Sequence, residues 1–555
     1  MTIFKNPHQI FARSLVALVL AISGCGDGGD SNITATPAWS LPAATPPVGS
    51  ANLSDVRGQQ ELAPGATLYT FAVGLAAPDD GFEVNVGFVR NVADAKPLID
   101  ALAQSGYVTK FVKSADDGQT GHAVRLDKRY AIQTDADGAV SAIKALTNLP
   151  ASTEILAVGA GRVYTAEDGT ASKGPFRINL LALRPTFNGL VKSALGTEIV
   201  PGRETTTSLS QRSGALAAIN GGYFVTGKPN GTEGALAGLS ISDGRLINEG
   251  IDGRPALFLE KLADGKVKAR IERKIVTTIT VSVNANAAKR IDGSNRRPGV
   301  TTNCGHAFSV ETTVPLHDAV CTNPNDIVVY TRDFGLSTSV ETAVPTVEVV
   351  VDASGLATAV NSTAGSAIPS GGQVLQGIGA GAQWLSANIA PGAKVTVDRK
   401  LTNGSNQPIA LAPGTWAVNG GPTLLVDASE VAADHPAEGW GNTNIKGYGY
   451  TLPNGNRANF YNGFYLRRNP RTAVGVAADG TILMMVSDGR APAYSAGLSV
   501  PETALLMKHF GAVNAINLDG GGSSMMVVNQ QALTRPSDTG RVERADGDGI
   551  LVFKQ

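Results

Sequence analysis

Three segments of this chain share one construction: an apolar β-type run that stops at Asn or Asp and turns at once on glycines. They are Ala217-Ala218-Ile219-Asn220-Gly221-Gly222-Tyr223-Phe224, Trp416-Ala417-Val418-Asn419-Gly420-Gly421-Pro422, and Ala515-Ile516-Asn517-Leu518-Asp519-Gly520-Gly521-Gly522-Ser523-Ser524. A strand that ends on a polar residue before glycines delivers that side chain to a sheet edge, where a ligand can approach the backbone closely. One such segment is a hairpin turn. Three in one chain argue for a shared pocket built from loops on a rigid scaffold. Composition agrees with strands and turns: 65 Gly and 29 Pro in 555 residues, with only 17% charged, leave little material for long solvated helices. The expected fold class is α+β, a strand-rich mixed-sheet domain with few short helices preceded by a small βαβ domain.

Several function classes drop out. The formal net charge is −1 and no long Lys/Arg cluster occurs, which excludes a broad nucleic-acid face or a polybasic membrane patch. The stretch after Asp519 lacks the Gly-Lys-Ser/Thr of a P-loop, and Gly377-Ile378-Gly379-Ala380-Gly381 lacks dinucleotide spacing. No Gly-x-Ser-x-Gly elbow is present. None of the six histidines sits beside a Gly-rich segment, so the chemistry rests on Asp, Asn, Arg and backbone amides.

The N-terminus reads as an address. Lys5 and Arg13 precede the apolar run Leu15 to Ile22, too short to span a bilayer but suited to a signal peptide. Ile22-Ser23-Gly24-Cys25 resembles a bacterial lipobox. The expectation is a signal over 1–25, lipidation of Cys25, and a cell-envelope location held by the lipid anchor alone. In a Gram-negative host this is the outer membrane, on the periplasmic side; in any other host it is the cell surface. Residues 26–66, rich in Gly, Ser, Thr, Ala and Pro, read as a flexible tether. Cys304 and Cys321, an even remainder in an exported chain, read as one disulfide. The rival is a zinc site, because His306 and His317 lie between them.

Residues 67–160 form a first small unit. Phe82, Val84 and Val86 alternate as a strand; Asn91 offers a cap, and Ala95, Leu98, Ile99 and Leu102 fall at helical spacing up to Gly106. Tyr107 to Val112 returns as a strand. The pattern recurs weakly, with a strand at Tyr130 to Gln133, a cap at Asp135 and a helix through Val140, Ile143 and Leu146. This duplicated arrangement resembles the sporulation-related (SPOR) repeat domain, which implies binding to peptidoglycan glycan strands.

The remaining residues, 161–555, hold the chemistry. Thr472–Val476 and Thr481–Val486 read as a hairpin around Asp479-Gly480. Arg471, Asp488 and Arg490 then gather at its open end, and guanidinium forks there suit a phosphate or carboxylate. A short helix at Pro501–Phe510, closed by Gly511, leads into the Asn517/Asp519 strand.

Together, AINGGYF, NPRTAVGVAADG, SDGR and NLDGGGSSM, in this order, resemble the phosphodiester glycosidase family. So do Gly253-Arg254-Pro255-Ala256-Leu257, Asp292-Gly293-Ser294-Asn295-Arg296, Asn419-Gly420-Gly421-Pro422 and the tail Arg544-Ala545-Asp546-Gly547-Asp548. The resemblance implies hydrolysis of a sugar-1-phosphodiester, a carbohydrate substrate, giving sugar and phosphomonoester. A phosphate leaving group is a weak base, so one carboxylate plus cations on the phosphate would suffice. Asp519 is the first choice for that carboxylate and Asp488 the second, with Arg471, Arg490 and Arg254 as the phosphate clamp. Asn220, Asn295, Asn419 and Asn517, with Gly221, Arg296 and Gly420, would contact the sugar. Ser523 and the Gly521 and Gly522 amides would form an oxyanion nest. No cofactor is required, although Asp519 and Asp488 would also suit Ca²⁺ or Mg²⁺. The competing class is a non-catalytic glycan-binding envelope lipoprotein; a third is a factor in exopolysaccharide maturation.

Overall fold

The computed structural model describes residues 36–76, 81–89, 91–114, 121–150, 156–160, 173–286, 288–341, 344–441 and 460–555. Backbone contacts divide the chain into Met1–Pro37 and Ala38–Gln555. The apolar run and Cys25 fall outside the described residues. Among the described residues no helix is long and apolar enough to cross a membrane.

The second unit is strand-rich, with few short helices. Its backbone is an eight-stranded antiparallel sheet in the order Asp55–Ala63, Ala66–Val73, Phe176–Leu183, Ile482–Ser487, Arg471–Ala477, Ala512–Asn517, Thr423–Val426, Ser429–Glu430. The interior strands are apolar on both faces because both are covered. Leu181, Leu183, Met484, Val486 and Ile516 face one core, shared with Ile219, Ile550, Leu257 and Val418 of two further sheets. Leu180, Ala182 and Met485 face the other, against Leu506 and Met507 of the helix Val500–His509 and Phe510 just after it.

A five-stranded sheet runs Gln531–Ala532, Met526–Val528, Ala217–Asn220, Asp548–Lys554, Gly189–Leu195. A larger curved sheet contains Thr415–Asn419 beside Arg254–Lys261 and the long strand Val267–Val283. On its far side a separate core packs it against the sheet of Ile327–Tyr330, Gln373–Ile378 and Thr346–Val351.

The small unit is an antiparallel sheet in the order Thr109–Ser114, Gly121–Leu126, Gly81–Val89, Leu156–Ala160, with helices Lys96–Gln104 and Gln133–Lys144. This is a split βαββαβ arrangement. Val84, Val86, Leu98, Leu102, Val124 and Ile143 form its core.

Some expectations are corrected here. The stretch 38–66 is not a tether: Trp39 is buried, its indole N–H donates to the Phe510 carbonyl at 2.7 Å, and Asp55–Ala63 is a strand. The boundary at residue 67 falls inside Ala66–Val73, which pairs with Phe176–Leu183 from Ala66↔Leu183 to Val73↔Phe176. The small unit is therefore inserted between two adjacent strands of the main sheet. Tyr130 makes only an isolated bridge to Phe82, and the second strand is Gly121–Leu126 instead. The helix expected to be capped by Asp135 starts earlier, with Ile132 at the cap position.

Candidate active site

The three Gly-rich segments converge, and the asparagines are what tie them together. Asn220 accepts from the Thr472 hydroxyl at 2.6 Å and the Met525 N–H at 3.2 Å, and donates to the Asp519 carbonyl at 2.9 Å. Asn419 accepts the Tyr223 N–H at 2.9 Å and donates back to the Tyr223 carbonyl at 3.3 Å. Asn517 donates to the Tyr223 hydroxyl, the Gly421 carbonyl and the Leu518 carbonyl, at 3.0, 3.1 and 2.6 Å. All three are buried. The sugar contacts expected of Asn220 and Asn419 are thus corrected to bracing, because their polar atoms are already bonded within the protein. Gly221 and Gly420 pack against Asp548 and the Asn517 carbonyl.

The braced loop presents Asp519, whose side chain keeps part of its surface open to solvent. One carboxylate oxygen accepts the Gly520 N–H at 2.8 Å and the other the Ser523 hydroxyl at 2.9 Å. The surrounding protein raises its pKa; Arg544, Ser523 and the Gly520 N–H oppose the rise, and Asp538 adds to it. A carboxylate fixed at both oxygens and raised by burial is suited to accept a proton or attack a carbon.

Arginines surround the same turn. Arg471, 1% exposed, donates its Nε to the Leu498 carbonyl at 2.9 Å and an Nη to the Phe464 carbonyl, over whose ring it lies at 5.0 Å. Among the described residues no carboxylate forms an ion pair with it. Burial, the charge of Arg490 and that of Arg467 pull its pKa down to about 10. Arg490 donates to the Asn469 side chain at 3.0 Å and lies 3.6 Å from Asp538. A Cβ on Gly521 would stand 2.7 Å from an Arg490 Nη, and Gly521 has φ +63°, so only glycine fits there. Arg544 holds Asp538 at 2.9 Å and reaches the Ser523 hydroxyl at 3.3 Å. Three guanidinium groups against Asp519 and Asp538 make the turn a cationic environment, the kind that suits an anion.

Below the turn lie Asp546 and Asp548, both buried. Asp548 accepts the Gly222 N–H at 2.8 Å, and burial together with the Asp519 charge pushes it up to about 7. Beside the turn stands Tyr223, whose hydroxyl donates to the Gly421 carbonyl at 2.7 Å. Its ring meets His317 at 4.3 Å and Trp440 at 5.3 Å. Arg254 belongs to this aromatic side, lying 4.8 Å over Trp440 and 3.3 Å from His317 Nδ1.

Other expected residues sit elsewhere. Asp488 accepts the Arg535 N–H at 2.7 Å, and its charged neighbours are Arg177, Arg535 and Arg541, a different set from those of Asp519. Asn295 is buried and joins the Ile247 carbonyl to Thr331, at 2.8 and 3.1 Å. Arg296 is locked between Glu249 at 2.7 Å and Asp326 at 2.6 Å. Both are corrected to structural roles: burial without a partner would be costly, and their partners are all internal. The Gly521 amide donates to the Pro470 carbonyl at 2.9 Å, which removes it from the expected nest; Gly522 packs beside Asp538 and Arg544.

Cys304 and Cys321 are bonded, with Cα atoms 5.5 Å apart. The zinc reading fails because both sulfurs are in that bond, and His306 stacks on Phe308 while His317 packs on Trp440. Among the described residues no three His, Cys, Asp or Glu side chains are arranged to hold a metal. Arg544, Asp538, Asp546, Asp548 and Tyr223 had no assigned role in the sequence reading. The signal for three of them was present in the acidic tail Arg544–Asp548. Clefts of about 680 and 620 Å³ open around Trp416 and Arg399, and no residue of the Asp519 turn lines them.

A family model described as phosphodiester glycosidase matches residues 345–553. The chain is 35% identical to a Burkholderia pseudomallei protein of solved structure, described as a "putative exported protein". The match covers 93% of this chain and 100% of that one with a TM-score of 0.82. It is also 41% identical over 68 residues to N-acetylglucosamine-1-phosphodiester alpha-N-acetylglucosaminidase of Mus musculus, across 12% of this chain. Over 85 residues, 15% of the chain, it is 35% identical to a SPbeta prophage-derived uncharacterized protein of Bacillus subtilis. The matched segments span 13% of the length of each of those two curated relatives.

Proposed function

The chain belongs to the phosphodiester glycosidase family, and from that premise we propose that it is an exported hydrolase cleaving the glycosidic bond of a sugar-1-phosphodiester. One observation carries the reading: Asp519 is held at both oxygens in a glycine turn ringed by Arg471, Arg490 and Arg544. The phosphodiester brings the negative charge that this ring lacks, and it places the anomeric carbon over Asp519. Stabilising charge on a departing phosphate is the work of preorganised cations. A weakly basic phosphate leaves without a strong general acid, so Asp519 acts alone at carbon or on water.

The test is release of free sugar and phosphomonoester in equal amounts from a nucleotide sugar or another sugar-1-phosphodiester. The arginines supply the cationic charge, so the proposal includes turnover without a metal, and the assay is run in EDTA. Asp519→Asn keeps shape and loses charge, so turnover should fall by about 10²-fold or more in a variant that melts no lower than wild type. Glycan binding by wild type with no release of either product would favour the non-catalytic lipoprotein instead.

Anchoring is a second part of the proposal. Ile22-Ser23-Gly24-Cys25 motivates it. Cys25→Ala should shift the protein from the membrane pellet to the soluble exported fraction; full retention in the pellet would rule out the anchor.

A further inference from the structure

Asp546 is a buried carboxylate near the catalytic turn that the proposed function leaves without work. It is 2% exposed, neither carboxyl oxygen makes a hydrogen bond of good geometry, and Ser523 is the hydroxyl within its reach. A buried polar group in that condition needs an explanation. Its position is fixed from both sides. Ala545 and Asp546 pair with Thr205 and Glu204, and the Gly547 carbonyl accepts the Gly196 N–H at 2.8 Å. A Cβ on Gly547 would stand 2.9 Å from the Gly234 carbonyl, so the backbone passes where no side chain fits. The side chain is thereby delivered beside Ser523 and Asp519.

The charges facing it explain why it has no ionic partner. Arg544, two residues away, is bonded to Asp538 at 2.9 Å through Nε and Nη2 and reaches Ser523 through Nη1. Arg203 is turned to the Ala545 carbonyl at 2.9 Å and to Glu233 at 2.7 Å. Glu204 is held by Arg212 at 2.8 Å. Asp519 and Asp548 add negative charge on the remaining sides; burial disfavours an ionised Asp546 most, those two charges add to it, and Ser523 and Arg544 oppose it.

Resting on the function proposed above, we infer that Asp546 works as a neutral carboxylic acid whose O–H is offered to Ser523 Oγ, turning the Ser523 hydroxyl onto Asp519. Ser523 has one hydrogen, and it goes to Asp519 Oδ2 at 2.9 Å. A hydroxyl that donates forward still accepts from behind. Burial, with Asp519 and Asp548 adding to it, holds the Asp546 proton well above the usual carboxylate range. When Asp546 ionises, it becomes an acceptor that competes with Asp519 for the Ser523 hydrogen and places a second negative charge beside it. Asp546 is a positioning residue: it acts on the substrate only through Ser523 and Asp519.

Two measurements test this, one of them independent of the substrate. A carboxyl whose pKa is raised on folding binds more protons in the native than in the unfolded state, so its contribution to stability is lost as pH rises. The melting temperature of Asp546→Asn relative to wild type should therefore climb from pH 4 to pH 8. A relative fall would show an ionised, partnered Asp546 and overturn the inference, whatever the enzyme turns over. On a sugar-1-phosphodiester, Asp546→Ala should lose about tenfold or more in kcat. Asp546→Asn, which can still donate to Ser523, should recover part of that loss and lack the alkaline fall of the wild-type pH profile. An Asn variant no better than Ala, or with the wild-type alkaline limb, would also overturn it. If wild type shows no turnover, the hydrolase reading fails while the stability slope still decides the state of Asp546.

Discussion

Asp488 and Asp519 look alike in the sequence, each closing a strand before glycine, and the structure separates them by what surrounds each carboxylate. Burial pushes Asp488 up to about 6, with the Arg535 N–H and the charges of Arg177 and Arg535 working against the shift. At 4% exposed, it has little solvent to stabilise its charge. The native state thus binds more protons than the unfolded chain between about pH 4 and pH 6, and stability falls across that window before levelling. Two pKa units correspond to about 3 kcal/mol at most. Asp488→Asn keeps an oxygen for the Arg535 N–H, so it should be more stable than wild type above pH 6 and equal to it near pH 4. Turnover should persist; thermal melts across pH beside activity assays check both, and an inactive, well-folded variant would restore Asp488 to the catalytic set. The asparagines differ from the sequence expectation for a related reason. A polar side chain at a strand end is equally useful for touching a ligand or for tying loops, and only the bonds of Asn220 and Asn419 to Thr472, Met525 and Tyr223 tell which.

Elements were legible where a local pattern decides them. The hairpin expected at Thr472–Val476 and Thr481–Val486 is found as Arg471–Ala477 and Ile482–Ser487, because Asp479-Gly480 fixes its register. The strand Asp55–Ala63 was hidden because its polar sequence pairs only along one edge, so no alternation marks it. Similarly, Trp39 reveals that its segment is docked only through the distant Tyr69, Asp479 and Phe510. The helix Val500–His509 opens on a Ser499–Glu502 capping box, with Glu502 also bonded to Arg468 at 2.9 Å. This helix packs on the strand that bears Arg471, and among the described residues no hydrogen bond or ion pair joins Ser499 to the Asp519 turn. Ser499→Ala should therefore cost about 1 kcal/mol of stability. Chemical denaturation should register the loss while kcat/KM stays at the wild-type value; a matching loss of activity would mean that the helix end tunes the arginine.

At the scale of the whole molecule, the insertion of the small βαββαβ unit separates what folds the site from what accompanies it. Val73 and Phe176 are opposite one another in the main sheet, so the chain leaves that sheet and returns to the adjacent strand at the same level. A short turn could join them in its place. The described residues bonded to Asp519 or charged beside it, Asn220, Gly520, Ser523, Asp538 and Arg544, come from the part after Gly174, and the small unit has its own core of Val84, Val86, Leu98, Leu102 and Ile143. Phe88 and Ala123 do pack against the main core, so removal exposes some apolar surface. Replacing residues 77–172 with a short Gly-rich turn should lower the melting temperature yet leave a folded hydrolase with wild-type turnover of a small sugar-1-phosphodiester. If the inserted unit grips glycan strands, as its resemblance implies, the same variant should lose co-sedimentation with isolated peptidoglycan. Turnover lost together with sedimentation, in a chain that still melts cooperatively, would show that the insertion shapes the active site rather than only carrying it to polymer.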